Sequence, residues 1–350
     1  MTNSDQMRYD RQVAWWLIVC AVVVFGMILL GAVTRLTHSG LSIVEWKPLL
    51  GAIPPLTESD WLATFERYKQ FPEYQKINQG MSLEGFKTIF MYEYLHRLLG
   101  RLIGVVFALP LLYFAVRRRL RPGLAPGLVV LFFLGGLQGL LGWYMVKSGL
   151  VDIPRVSQYR LTAHLGVAVA IYAYMVWLIF ELLFIPGHAT PGNASVTQHR
   201  PYARWALALV GLVYVMILSG GLVAGTRAGM AYPTWPLMGD TFIPRGLYAT
   251  TPAWLAMFED ITTIQFNHRI FAYVLFVVLN VYAFLVYRSG STGRGKLGAL
   301  LLVAALCLQV VLGIGTLLLH VPVWLATAHQ GGAVLLLTAT LFLCHVQRRQ

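Results

Sequence analysis

The chain has 350 residues, of which 57% are hydrophobic and only 12% charged, whereas a soluble domain carries about 25% charged residues; water is excluded as its main solvent. Its net charge of +13 could point to nucleic acid, but the basic residues gather in alternate short loops, a placement that sets membrane orientation and argues against nucleic acid as partner. The three cysteines, Cys20, Cys307 and Cys344, stand apart inside apolar runs, which leaves no disulfide framework or zinc knuckle.

A polar first dozen residues lead into an apolar run near 13–33. It carries no small-residue cleavage site and reads as a retained helix. The next run, near 91–116, opens on Glu93-Tyr94-Leu95-His96-Arg97, and the third, near 126–146, contains Gln138, Gly139 and Gly142. The fourth, near 161–184, carries Thr162-Ala163-His164; further runs lie near 205–224, 263–287, 297–319 and 323–346. Each is long enough to cross ~30 Å of hydrocarbon as a helix.

Eight spans put both termini on one side. The short loops carrying Arg8 and Arg11, Arg117 to Arg121, Arg200 and Arg204, Arg288 to Lys296, and Arg348 and Arg349 mark that side as cytoplasmic. The segments near 34–90 and 225–262 are then exported. The first is the longer and interleaves charges with Trp46, Trp61, Phe65, Tyr68, Phe71, Tyr74 and Phe86; it reads as a lid over the N-terminal site.

The chain also repeats itself. Glu93 to Arg97 returns as Gln265-Phe266-Asn267-His268-Arg269, Gln138 to Gly142 as Gln309 to Gly313, and Thr162-Ala163-His164 as Thr327-Ala328-His329. Four spans per repeat is an even number, so both halves enter the membrane in the same direction. The expected fold is an all-α polytopic membrane protein whose eight helices form two tandem, parallel-repeat four-helix bundles. The N-terminal half is 1–185, a cytoplasmic linker 186–204, and the C-terminal half 205–350.

Only four histidines lie within spans and also map onto one another: His96 with His268, and His164 with His329. Their spans all start at the exported side, so each half presents two imidazoles at one level of a bundle interior, where such bundles build cofactor sites. Zinc wants three or four ligands, and no Cys or further His approaches at ligand spacing. A haem needs only its axial ligands. Arg97 and Arg269 follow the first His of each pair and suit haem propionates. His38, which pairs in the repeat with Arg227, is a candidate contact at the ring edge. The small-residue stretches Gly135-Gly136, Gly139 and Gly142, with Gly313 and Gly315 in the other half, suit close approach of helices or of a flat ring.

The halves differ at one position. Glu93 stands one turn before His96, and Gln265 stands before His268. A carboxylate there shares the ligand's helix face and can exchange protons beside a cofactor, so Glu93 is the catalytic candidate and the N-terminal half the reactive one.

The stretch Gly31-Ala32-Val33-Thr34-Arg35-Leu36-Thr37-His38-Ser39-Gly40-Leu41-Ser42-Ile43-Val44-Glu45-Trp46-Lys47-Pro48, with Pro54-Pro55, Tyr68, Pro72-Glu73-Tyr74 and Glu93-Tyr94-Leu95-His96-Arg97, resembles the haem A synthases of mitochondrial and alphaproteobacterial type. The likeness runs over residues 13 to 346. Another branch of that family carries a cysteine pair in the first exported loop; residues 34 to 90 contain none, which removes a loop disulfide from the chemistry.

The resemblance implies oxidation of the C8 methyl of haem O to a formyl group, by successive hydroxylation and loss of water, giving haem A for terminal oxidases. It implies that His96 and His164 hold the substrate haem, and that His268 and His329 hold a resident haem b. The partners implied are the lipid bilayer, an electron donor such as quinol or ferredoxin, a haem O synthase, cytochrome oxidase assembly machinery and a second copy in a homo-oligomer. The membrane is then the bacterial inner membrane, with the haem sites near the periplasmic side. An iron held by two histidines has no vacant position for oxygen; either a ligand leaves or oxygen is reduced at a distance. The alternative reading is a di-haem b-type cytochrome passing electrons from quinol. A parallel-repeat transporter would place its charges at mid-membrane, and here they cluster at the exported end.

Overall fold

Each apolar run becomes one helix. A computed structural model describes residues 3–45, 50–150, 155–184, 200–289, 291 and 293–349. In chain order its helices are α1 (Asn3–Leu36), α2 (Glu58–Lys69), α3 (Pro72–Lys76), α4 (Leu83–Val116), α5 (Leu124–Gly149), α6 (Gln158–Leu183), α7 (Arg200–Thr226), α8 (Ala256–Glu259), α9 (Ile261–Arg288), α10 (Gly293–Leu318) and α11 (Val323–Arg349). Among the described residues eight of these, α1, α4 to α7 and α9 to α11, are long and apolar enough to cross a membrane. The expected runs fall on them to within one residue, at Phe184 and Leu319. The fold is an all-helical polytopic membrane protein. Most of the linker expected at 186–204 lies outside the described residues, and α7 begins within it at Arg200.

Neighbours are arranged alike on the two sides. Helix α1 packs on α4 and α6, α4 on α5, and α5 on α6; α7 packs on α9 and α11, α9 on α10, and α10 on α11. Helices α6 and α7, α1 and α11, and α6 and α11 join the two groups. The central core therefore runs through α1, α6, α7 and α11, with Leu17, Val169, Val213 and Leu337 nearly inaccessible. The outward faces carry Leu109, Phe133, Leu140, Val277, Phe284 and Val311, all exposed; an apolar outer surface is what hydrocarbon solvates and water does not. Two cross-links tie the groups. Gln330 Nε2 donates to the Ile28 carbonyl at 2.9 Å, and the hydroxyls of Tyr172 and Thr338 lie 3.0 Å apart.

Helix α4 is longer than the run read from the sequence. Ser82 caps its start by accepting from the Gly85 amide at 3.1 Å, and 34 residues make roughly 51 Å of helix, well beyond ~30 Å of hydrocarbon. The extra turns stand above the bundle and receive the lid. Helix α2, begun by a capping box of Thr57 and Asp60, lays Trp61, Phe65 and Tyr68 against Phe86 and Phe90 of α4. Phe65 and Phe86 stack at 4.9 Å, Tyr68 and Phe86 at 5.1 Å, and Trp61 meets Phe90 edge-on at 5.0 Å. Such pairs add about 0.5–1.5 kcal/mol each beyond the burial itself. Of the aromatic residues read as a lid, Trp46 lies outside the described residues.

Candidate functional site

The four span histidines lie toward the lid end of their helices. His164, His268 and His329 stand in the second turn of α6, α9 and α11. His96 stands in the fourth turn of α4, because that helix starts two turns above the apolar run. Each imidazole edge rests on a glycine of a neighbouring helix. A Cβ at Gly31 of α1 would meet His96 Cε1 at 3.1 Å, and at Gly220 of α7 it would meet His268 Cε1 at 3.5 Å. One at Gly142 of α5 would meet His164 Cε1 at 3.1 Å, and at Gly313 of α10 His329 Cε1 at 2.7 Å. A side chain in these places would displace or crowd the ring, so the glycines set where the imidazoles sit. Gly142 and Gly313 were legible as packing glycines; Gly31 and Gly220 carried no such signal, since they precede the loops and stand far in sequence from any histidine.

His164 is close enough for its charge to act on His96, and His329 for its charge to act on His268. The two histidines of each half, His96 with His164 and His268 with His329, thus lie near one another. The Nδ1 atoms of His96, His164 and His329 are buried without a hydrogen-bond partner, while His268 Nδ1 lies 2.9 Å from the Ser219 hydroxyl. His329 is near enough to the Gln309 backbone to feel it, though outside hydrogen-bond geometry. Gly135, Gly136 and Gly139 of α5 are exposed, with nothing within 4 Å of a built Cβ. Among the described residues no group of three or more His, Cys, Asp or Glu can hold a bare metal ion. Paired, buried imidazoles, three of the four with Nδ1 unpartnered, fit a haem, whose porphyrin fills the remaining coordination positions. Two clefts, of about 400 and 420 Å³, lie elsewhere and include none of the four histidines; buried nitrogen donors outweigh size in placing the site.

Glu93 is 2% exposed and fully engaged. One carboxylate oxygen accepts from the Ser42 hydroxyl at 2.8 Å and the Ile43 amide at 2.7 Å, and the other pairs with Arg97 at 2.6 Å. Arg97 also donates to the carbonyls of Ile43 at 2.8 Å and Glu45 at 3.1 Å. The second half repeats the device: Arg269 donates to the carbonyls of Tyr232 at 2.6 Å and Thr234 at 2.8 Å, and Gln265 Nε2 to that of Tyr232 at 3.2 Å. Both arginines, read as propionate contacts, are thus seen holding the loop beyond the preceding span.

His38 and Arg227 meet each other: Arg227 Nη2 lies 3.2 Å from His38 Nδ1 where the two groups of helices join. Both have left-handed backbone, φ 56° and 61°, as the chain leaves α1 and α7. Burial, then Arg227 and Arg35, push the His38 imidazole below its ordinary value.

Sequence reasoning passed over Glu73 of α3, quoted only as part of a family stretch. It is 5% exposed, and its Oε2 has no partner. Burial and then the nearby Glu93 push its carboxyl up from 4.5 to about 8. The same two carboxylates act on Tyr68, whose hydroxyl accepts from Asn78 at 2.7 Å. A lone glutamate in a polar loop has no periodic signature by which to find it.

Taken together, a helical membrane bundle with two buried histidine pairs and a carboxylate beside one of them defines a polytopic protein of the haem-handling class. A family model described as cytochrome oxidase assembly protein matches residues 14–341, and the chain belongs to that family. It is similar to proteins named Heme A synthase from Nitrosospira multiformis, 51% identical over 99% of this chain and 97% of that one, and from Nitrosomonas eutropha, 50% identical over 97% and 95%. A third, from Paramagnetospirillum magneticum, is 50% identical over 96% of this chain and 93% of its own.

Proposed function

We propose that the chain is a haem A synthase, converting the C8 methyl of haem O to a formyl group by successive hydroxylation and loss of water. The observation that carries this reading is the buried Glu93 carboxylate one turn from His96 on α4, with a glutamine in the corresponding place on α9. The names borne by relatives about half identical over nearly the whole chain support it.

In this reading His96 and His164 hold and orient the substrate haem, and His268 and His329 hold a resident haem b. Haem b, when bound, supplies one-electron chemistry. Glu93 takes or returns the proton that oxidation of the methyl requires. Ser42, the Ile43 amide and Arg97 fix both its oxygens, so it meets substrate in one orientation. The aromatic lid on α4 keeps bulk water from that end.

The two groups of four helices are read as tandem parallel repeats, supported by their identical neighbour order. The alternating arginine loops support a bacterial inner-membrane placement with cytoplasmic termini and the lid end periplasmic. An electron donor such as quinol or ferredoxin, a haem O synthase as source of substrate, and a second copy complete the proposed partners.

The test is mass analysis of tetrapyrroles extracted from cells that make this chain together with a haem O synthase. Haem A in the extract is the expected result. A bound b-type haem with haem O left unconverted would favour a di-haem cytochrome that only carries electrons.

A further inference from the structure

The two histidine pairs differ in what stands behind the rings. His268 Nδ1 lies 2.9 Å from the Ser219 hydroxyl, while Nδ1 of its pair-mate His329 is buried with no hydrogen-bond partner. In the first half, His96 and His164 both have Nδ1 buried with no partner. The residue in the place of Ser219 is Leu30: Gly31 and Gly220 meet His96 and His268 alike, and each is preceded by the residue in question. Leucine offers no acceptor.

We propose that Ser219 is a positioning residue that locks His268 as a permanent axial ligand, and that Leu30 leaves His96 free to detach from the substrate haem. The inference rests on the haem-ligation reading above. With Nε2 on iron, Nδ1 carries the proton and the Ser219 hydroxyl accepts it; such a bond fixes the ring, raises its basicity and strengthens the metal bond. Loss of an outer partner of this kind typically weakens metal affinity by about 10–100-fold. The buried Nδ1–H of His96 gains nothing comparable when its ring is in place, and an unpaired buried donor is itself a cost. Of the two ligands in these matched places, His96 is therefore the one that leaves its iron and His268 the one that stays.

The experiment uses the full-length, haem-loaded protein, chemically reduced and mixed with carbon monoxide, which binds only where a histidine has left. Binding is expected in a fast phase from the first half and a slow phase from the second. Ser219→Ala should speed the slow phase by about tenfold and raise the midpoint potential of that haem, leaving the fast phase unchanged, while Ser219→Thr keeps the slow phase slow. Leu30→Ser should slow the fast phase, with haem content measured beside it; should that variant lose haem, the serine variants decide alone. An unchanged slow phase in Ser219→Ala, with haem b lost in His268→Ala, overturns the inference and leaves the ligation reading intact. Haem b retained in His268→Ala overturns the ligation reading and the inference with it.

Discussion

The two halves of the molecule seat their histidines on glycines and tie down their loops with an arginine in the same manner, yet they differ in three places around that shared frame. The first has Glu93 where the second has Gln265, Leu30 where the second has Ser219, and a folded aromatic lid where the second has a shorter loop. We propose that the shared frame serves binding and that reactivity comes from what sets the first half apart. In the proposed reading, a carboxylate that moves protons, a His96 without the hydroxyl that meets His268 and a cover against water all fall on the same side.

The largest effect should come at Glu93. Glu93→Gln makes the first half like the second and should lower haem A output by about 10²–10⁴-fold, with haem content unchanged, because a glutamine can still hold the loop as Gln265 does. The reciprocal Gln265→Glu should leave output within about twofold. Haem A yield per bound haem measures both, and normal output from Glu93→Gln removes the residue from the chemistry.

The lid comes next. Phe86 is fully buried among Trp61, Phe65, Tyr68 and Phe90, and truncation of such a ring costs about 3–5 kcal/mol. Phe86→Ala should expose α2 and α3 to proteolysis while the loop of the second half keeps its wild-type cleavage rate. Equal loosening of both would show that the two loops depend on each other.

The smallest effect is a pH dependence confined to the lid. Glu73 is held near 8 against an ordinary 4.5, so the docked lid retains a proton that the undocked lid releases. Its contribution to docking is complete below about 4.5, weakens as pH rises through that interval, and is gone above about 8. Hydrogen exchange in α2 and α3, corrected for intrinsic rates, should accelerate across that window, and Glu73→Gln should flatten the profile. A wild-type profile already flat there would remove Glu73 from lid docking.

Much of this was legible in the residues. The eight spans follow from apolar length, and the histidine pairs follow from a repeat in which spacing and neighbours are kept. The start of α4 was not, because Phe86 and Phe90 extend an apolar pattern whose partner is the lid, and a sequence does not say what an apolar face meets. Arg97 and Arg269 were read toward propionates because, apart from the Glu93 carboxylate beside Arg97, their partners in the structure are backbone carbonyls, which every residue has and no motif marks. Ser219 was invisible for a related reason: a serine in an apolar run is common in membrane helices, and only its distance to His268 sets it apart. Glu73 drew no notice because its burial comes from tertiary packing of α3 within the lid.

The division of labour between the halves is tested most directly by removing one histidine pair at a time and extracting the tetrapyrroles. His96→Ala with His164→Ala should leave haem b bound and yield no haem A; His268→Ala with His329→Ala should lose haem b. Haem b lost from the first double variant, or haem A still made by it, would contradict the assignment of substrate to the first half.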